Sequence, residues 1–144
     1  MRKELIVSTS VLVEASAEKI WHALTSPEKI KEYLFGAETI TDWQPGSDIV
    51  FKGEYQGRFY QDHGKILDIE PNEKISYSYW TEFSGLSDVP ENYSTVTYLI
   101  KPIAPHLAEF TWIQSGFADE GGYNHSKATM GGFLNEVKRV MEEA

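Results

Sequence analysis

The residues from Ser126 to Glu143 read as one long amphipathic helix at the end of a chain that otherwise reads mostly as strand. Met130, Phe133, Leu134, Val137, Val140 and Met141 recur every three or four positions, and Lys127, Asn135, Glu136, Lys138, Arg139 and Glu142 fill much of the rest. Such a stripe is stable only against a large apolar surface, and the preceding strands are the one source of it. A sheet curved round a helix encloses either a packed core or a cavity, and that choice sets the function.

Residues 3 to 13 alternate through Leu5, Val7, Val11 and Val13, the pattern of a half-buried first strand. Ser16 caps a short helix with Glu18 in its first turn and Ile20, Trp21 and Leu24 on its apolar face. Ser26-Pro27 starts a second helix, with Lys29 to Leu34 as its body, because proline at the first helical position loses no hydrogen bond. From Glu38 the text changes to strands, expected at 38–43, 48–54, 58–69, 73–82, 93–101 and 107–115, with turns at Gln44-Pro45-Gly46, Gln56-Gly57, Pro71-Asn72 and Pro102 to Pro105. Joins this short make antiparallel neighbours, since parallel pairing needs a longer crossover. The alternation slips phase near Ile66, Leu67 and Ile69, which predicts a bulge in the long fourth strand. Phe83 to Asn92 is expected as a mobile loop, and Phe117 to Asn124, with Gly121-Gly122, as a second loop before the terminal helix. The expected fold is α+β: a curved antiparallel sheet of about seven strands wrapped round the C-terminal helix, with two short helices between strands 1 and 2, as a single domain over 1–144.

Composition excludes several classes of partner. Thirteen basic residues against 22 acidic ones give a formal charge of -9, which repels phosphate backbones and anionic lipid, and no concentrated basic patch reverses it. Nucleic acid and membrane are therefore not expected as partners. The chain has no cysteine, so a disulfide, a thiol nucleophile and every thiolate metal site are absent, and no HExxH or comparable spacing suggests a metal of another kind. No cofactor is expected. The N-terminal residues alternate with polar ones instead of forming the apolar segment of a signal peptide, and no stretch approaches about 20 apolar residues, so a cytoplasmic location is expected.

Several words of the chain, taken in order, carry a resemblance. They are Ala17-Glu18-Lys19-Ile20-Trp21-His22-Ala23-Leu24-Thr25 with Pro27; Gly64-Lys65-Ile66-Leu67-Asp68-Ile69-Glu70-Pro71-Asn72-Glu73-Lys74-Ile75; Tyr77 with Tyr79-Trp80; Ser94-Thr95-Val96-Thr97; Ser115-Gly116-Phe117; and His125 ahead of Gly132-Phe133-Leu134. Nearly end to end, this resembles the activator of Hsp90 ATPase homologue-like family, within the START/Bet v 1-like helix-grip superfamily. Two positions depart from the family pattern. Members commonly have Gly-Trp where this chain has Gly132-Phe133, which retains an aromatic at the helix–sheet contact, and often have His or Glu at the position of Gln114, where a titratable group is lost. The resemblance implies the fold but no single activity, because the family's roles run from stimulating a chaperone ATPase to small bacterial proteins of unknown ligand.

Ile75, Tyr77 and Tyr79 share one face of their strand, as do Val96, Tyr98 and Ile100 in the next and Ala108, Phe110, Trp112 and Gln114 in the last. Turned toward the helix, these faces make an aromatic wall with a few hydroxyls, suited to an apolar ligand held by few polar contacts; ordinary core packing explains the same pattern. The candidate pocket is Tyr77, Tyr79, Tyr98, Phe110, Trp112 and Gln114 from the sheet with His125, Met130, Phe133 and Val137 from the helix. His125, expected at the helix start, reads as a cap or loop anchor or as a hydrogen-bonder to ligand. Gly131 and Gly132 each cost a helix up to about 1 kcal/mol relative to Ala, which either close helix–sheet packing or room for a ligand would explain. Glu54, Asp62 and Glu82 read as solvated acids on the convex face, and Asp62 and His63, neighbours in a strand, point to opposite faces and so make no dyad. No residue is nominated as catalytic.

Three functions follow. The first is binding of a small, mainly hydrophobic molecule between sheet and helix, which requires a cavity of a few hundred Å³ or more. The second is a protein-interaction module resembling the Hsp90 ATPase activator domain, which requires an exposed apolar or charged patch; the chain is then a monomer or a homodimer. The third is an enzyme, a cyclase or hydrolase acting on a lipophilic substrate, which requires a polar pair of perturbed pKa inside the pocket.

Overall fold

In the computed structural model, which describes residues 1–144, seven strands form one antiparallel sheet in the spatial order β1-β7-β6-β5-β4-β3-β2. They are β1 (Arg2–Val13), β2 (Glu38–Ile40), β3 (Asp48–Tyr55), β4 (Arg58–Glu70), β5 (Lys74–Tyr79), β6 (Ser94–Ala104) and β7 (Leu107–Phe117). Helices α1 (Ala17–Thr25) and α2 (Pro27–Tyr33) lie between β1 and β2, and α3 (Glu120–Glu143) follows β7. This is the expected helix-grip architecture. β2 through β7 form a meander in which each strand pairs with the next, through short joins everywhere except between β5 and β6, and the helical pair after β1 carries the chain far enough for β1 to pair with β7 and for β1 and β2 to become the two edges. Ser16 Oγ accepts a hydrogen bond from the Lys19 amide at 3.2 Å to start α1, and Pro27 opens α2. No helix is long and apolar enough to cross a membrane.

The sheet turns one face inward. Val13, Ile49, Ile66, Ile75, Tyr77, Val96, Tyr98 and Phe110 are buried there against Ile20 and Leu24 of α1, Ile30 and Tyr33 of α2, and Leu134, Val137, Val140 and Met141 of α3. Each large side chain that leaves water contributes about 1.5–3 kcal/mol, so the second half of α3 is the clasp of the fold.

β4 is the strand that shapes the site. Its residues 58–65 pair with β3 and its residues 66–70 with β5, and the β5 register shifts between Ile66 and Asp68. Leu67 is the extra residue of this bulge and points outward, half exposed, where the alternation predicted it. Just before the bulge the two backbones close to a distance only glycine allows: a Cβ on Gly64 would stand 1.6 Å from the Ser78 carbonyl oxygen. Beyond it β5 ends at Tyr79, and the bridge between His63 and Trp80 ties the first half of β4 to the departing chain.

Four expectations are corrected. The second strand stops at Ile40, and Trp43, placed inside it by the alternation, has φ +58, a left-handed conformation that a strand does not accept. The fifth strand ends at Tyr79, and the loop from Phe83 to Asn92 that follows it carries 3-10 turns at Glu82–Ser84 and Pro90–Asn92. Trp80 Nε1 donates to the Leu86 carbonyl at 3.2 Å, Asn92 Nδ2 to the Ser87 carbonyl at 3.0 Å, and His63 Nε2 lies 3.1 Å from Asp88. α3 starts at Glu120 and not at Ser126, because Asp119 caps it, accepting from the Gly122 amide at 2.8 Å; a good cap outweighs the poor helix propensity of two glycines. Gly131 and Gly132 are exposed, with no atom within 4 Å of where a Cβ would sit, so close packing on the sheet does not explain them.

Candidate functional site

An apolar cleft of about 230 Å³ lies between the inner face of the sheet and the connector after α2. β5 lines it with Tyr77 and Tyr79, β6 with Val96, β7 with Trp112 and Gln114, β3 with Phe51, β4 with Tyr60 and Asp62, and the connector with Leu34, Phe35 and Ala37. The rings brace one another: Phe51 meets Tyr77 and Tyr79 at centroid distances of 5.7 and 5.9 Å, and Phe133 of α3 meets Trp112 edge-on at 5.1 Å. Edge-on and tilted pairs of this kind contribute about 0.5–1.5 kcal/mol each beyond their buried area, which makes the wall stiff.

Phe35, Tyr60, Asp62 and Tyr79 also line a wider groove of about 730 Å³ that continues outward past Glu54, Tyr55, Thr81 and Phe83. Phe35 stands at this mouth, 85% exposed with φ +55, and its ring reaches Phe133 at 6.4 Å. A bulky residue in the left-handed region costs about 1–3 kcal/mol, and Gly36 beside it, also at positive φ, completes the reversal. The enclosed part is thus at the small end of what ligand binding requires, and it gains room only by opening into the groove.

The chemistry of the cleft centres on Asp62, only 5% exposed. Its Oδ2 accepts a hydrogen bond from the Tyr79 hydroxyl at 2.5 Å, while Oδ1 is buried with no partner. Burial pushes the Asp62 carboxyl above the usual carboxylate range, against the opposing effect of the Tyr79 hydrogen bond. Thr81 stands near enough to favour ionisation, yet no hydrogen bond of normal geometry links it to the carboxylate. Tyr79 is held well above its ordinary value, first by burial and then by Asp62. Deeper in, the Tyr77 and Tyr98 hydroxyls are 2.6 Å apart and satisfy each other, and burial raises both.

Asp62 overturns its reading as a solvated acid. Tyr60, Asp62, Gly64 and Ile66 share one parity of β4, and that parity faces inward. The even spacing to the apolar Ile66 was the available signal. The opposite-face argument against an Asp62–His63 dyad holds: His63 points outward, pairs with Asp88, and has Tyr93 Oη 3.3 Å from its Nδ1. Tyr93, partly desolvated and bonded to Asp88, is pushed up to about 12. No three His, Cys, Asp or Glu side chains converge on a point that could hold a metal ion.

Of the pocket residues named from sequence, Tyr77, Tyr79, Trp112 and Gln114 line the cleft. The Gln114 amide already donates to the Gly116 carbonyl at 3.2 Å. Tyr98 and Phe110 form the buried layer behind the wall, in tilted contact with each other at 5.9 Å. Phe133 supports Trp112 from behind, Met130 packs against the core half-buried, and Val137 is sealed inside it. His125 lies in the second turn of α3, exposed, and neither starts the helix nor borders the cleft. Phe51, Tyr60 and the connector residues were missed; Phe51 follows from its parity with Ile49, whereas nothing local places the connector over the sheet.

The sequence profile of the family described as Activator of Hsp90 ATPase homolog 1-like protein matches residues 14–142. Among solved structures, a protein from Cytophaga hutchinsonii is 35% identical, with 99% of this chain and 97% of that one covered and a TM-score of 0.82. One from Mesorhizobium loti is 22% identical over 96% of this chain and 98% of that one, TM-score 0.76. The Aha1 dimer from Colwellia psychrerythraea is 17% identical over 95% of this chain and 96% of that one, TM-score 0.71. The last two share the fold at identities too low to carry a role. No curated protein matches the sequence.

Proposed function

Because the chain belongs to the family of activator of Hsp90 ATPase homolog 1-like proteins, whose helix-grip fold suits small-molecule binding, we propose that it binds a small, mainly apolar molecule in the cleft. The observation that carries this reading is the cleft itself, in which nine of the 11 lining residues are hydrophobic and two polar side chains, Asp62 and Gln114, remain to orient a guest. The hydrogen-bonded Asp62–Tyr79 pair, both groups raised by burial, is the kind of perturbed polar pair an enzyme requires. Binding is favoured over catalysis by the make-up of the lining, which offers no serine, lysine or histidine to act with that pair.

The test is a titration of the isotope-labelled protein with indole, a neutral aromatic probe, followed by amide and side-chain NMR shifts. Saturable shifts at the Trp112 side-chain N–H and at Tyr77 and Tyr79 are expected; shifts confined to the outer face would end the reading. Native mass spectrometry of freshly purified protein adds a second check, with a co-purified adduct lost on denaturation expected.

One observation favours a second reading, an interaction surface. Phe35, Tyr55 and Phe83 are 85%, 59% and 49% exposed round the groove, more apolar rim than a closed pocket needs.

A further inference from the structure

Asp62 is the one carboxylate in the cleft, and no lysine, arginine or histidine lines it. Its Oδ1 is buried without a donor, an arrangement whose desolvation cost is recovered only when something donates to it. Of the nearby polar groups, the Tyr60 and Thr81 hydroxyls are neutral and make no hydrogen bond to it. The Tyr79 hydroxyl is spent on Oδ2, the Tyr77 hydroxyl pairs with Tyr98, and the Gln114 amide donates to Gly116. What the protein does not supply in the cleft is a cation to balance the carboxylate. Around it Phe35, Phe51, Tyr60, Tyr79 and Trp112 present aromatic rings, whose faces attract cations. Glu54 borders the groove, and the chain's formal charge of -9 adds a field of the same sign. Arg58, beside the mouth, is already paired with Glu82 at 3.2 Å.

We propose that the cleft is a site for a lipophilic amine: the apolar body lies among the rings, and the protonated nitrogen is held by the Asp62 carboxylate. The proposal rests on the pocket reading above and narrows its ligand. A cavity of roughly 150 Å³ takes a benzene-sized guest, so the enclosed volume of about 230 Å³ takes one ring with a short chain, and anything larger extends into the groove.

Three probes with one body and different heads test this: 3-phenylpropylamine, 3-phenylpropan-1-ol and 3-phenylpropanoate, each titrated at pH 7 into the full chain, with affinity read from the Trp112 side-chain N–H. A charge-assisted hydrogen bond predicts that the amine binds about tenfold or more tighter than the alcohol, with the carboxylate weakest. In Asp62→Asn the amine is expected within about threefold of the alcohol, so that the preference for the amine is lost. Equal binding of amine and alcohol, a preference for the carboxylate, or an amine preference that survives Asp62→Asn would each overturn the proposal while leaving the pocket reading intact. If none of the three reaches the cleft, both fall. The ranking on the wild-type protein decides the matter even if the variant fails to fold.

Discussion

Leu134, Val137, Val140 and Met141, in the second half of α3, are sealed from water within one continuous apolar core. The cleft, built from the first half of β4 and the connector after α2, breaks several rules at once. A carboxylate oxygen is buried unpaired, a phenylalanine is left-handed and exposed, and aromatic rings face solvent. Both regions belong to the same sheet, so the difference does not come from the fold type. The clasp of α3 supplies stability in surplus, and departures from good packing persist only where the surrounding structure holds them, which is why they mark a candidate site and not a fault.

The comparison is broken most severely where the two regions join. Gly64→Ala drives a Cβ into the Ser78 carbonyl, and a loss of at least about 3 kcal/mol is expected, seen as lost soluble expression or a collapsed urea midpoint. In the clasp, Leu134→Ala should cost about 3 kcal/mol, measured by urea unfolding, without changing which probes the cleft accepts. A smaller effect of opposite sign tests the exposed stretch of the helix. Gly131→Ala with Gly132→Ala should stabilise the protein by about 1–2 kcal/mol in total, because nothing stands near either new methyl; loss of stability would mean those positions are occupied.

The smallest effect is the most specific. Asp62 has a raised pKa in the folded state, so the folded protein binds its proton more readily than the unfolded chain does. The stability this gives is full below the unfolded carboxylate pKa, about 4, and is lost as pH rises through the folded value. Asp62→Asn is therefore expected to be more stable than wild type at pH 7, by on the order of 1 kcal/mol, with the gap shrinking toward pH 4. Paired urea titrations at the two pH values check it, and a gap that grows on acidification would contradict the burial described here.

What was legible in the chain was periodic. The alternation at Ile75, Tyr77 and Tyr79 and at Val96, Tyr98 and Ile100 identified the inward faces, the phase slip at Leu67 located the bulge, and the heptad-like stripe from Met130 to Met141 identified the clasp. Half of the aromatic wall was readable for the same reason. Asp62 reads as solvated although its parity matches that of Ile66, because a carboxylate in a strand is ordinarily solvated and nothing local shows which segments will cover it.

The amino-acid sequence by itself determined the kinds of element, most of the antiparallel order and the family, since these depend on neighbours a few residues apart and, except between β5 and β6, on short connections. Only the tertiary structure decided that β5 ends where Asp62 begins to need a partner, that Phe35 stands over the opening, and that Tyr98 and Phe110 lie behind the wall. Those outcomes depend on which distant segments meet and exclude water, and desolvation is a property of the assembled surroundings and not of any stretch of chain.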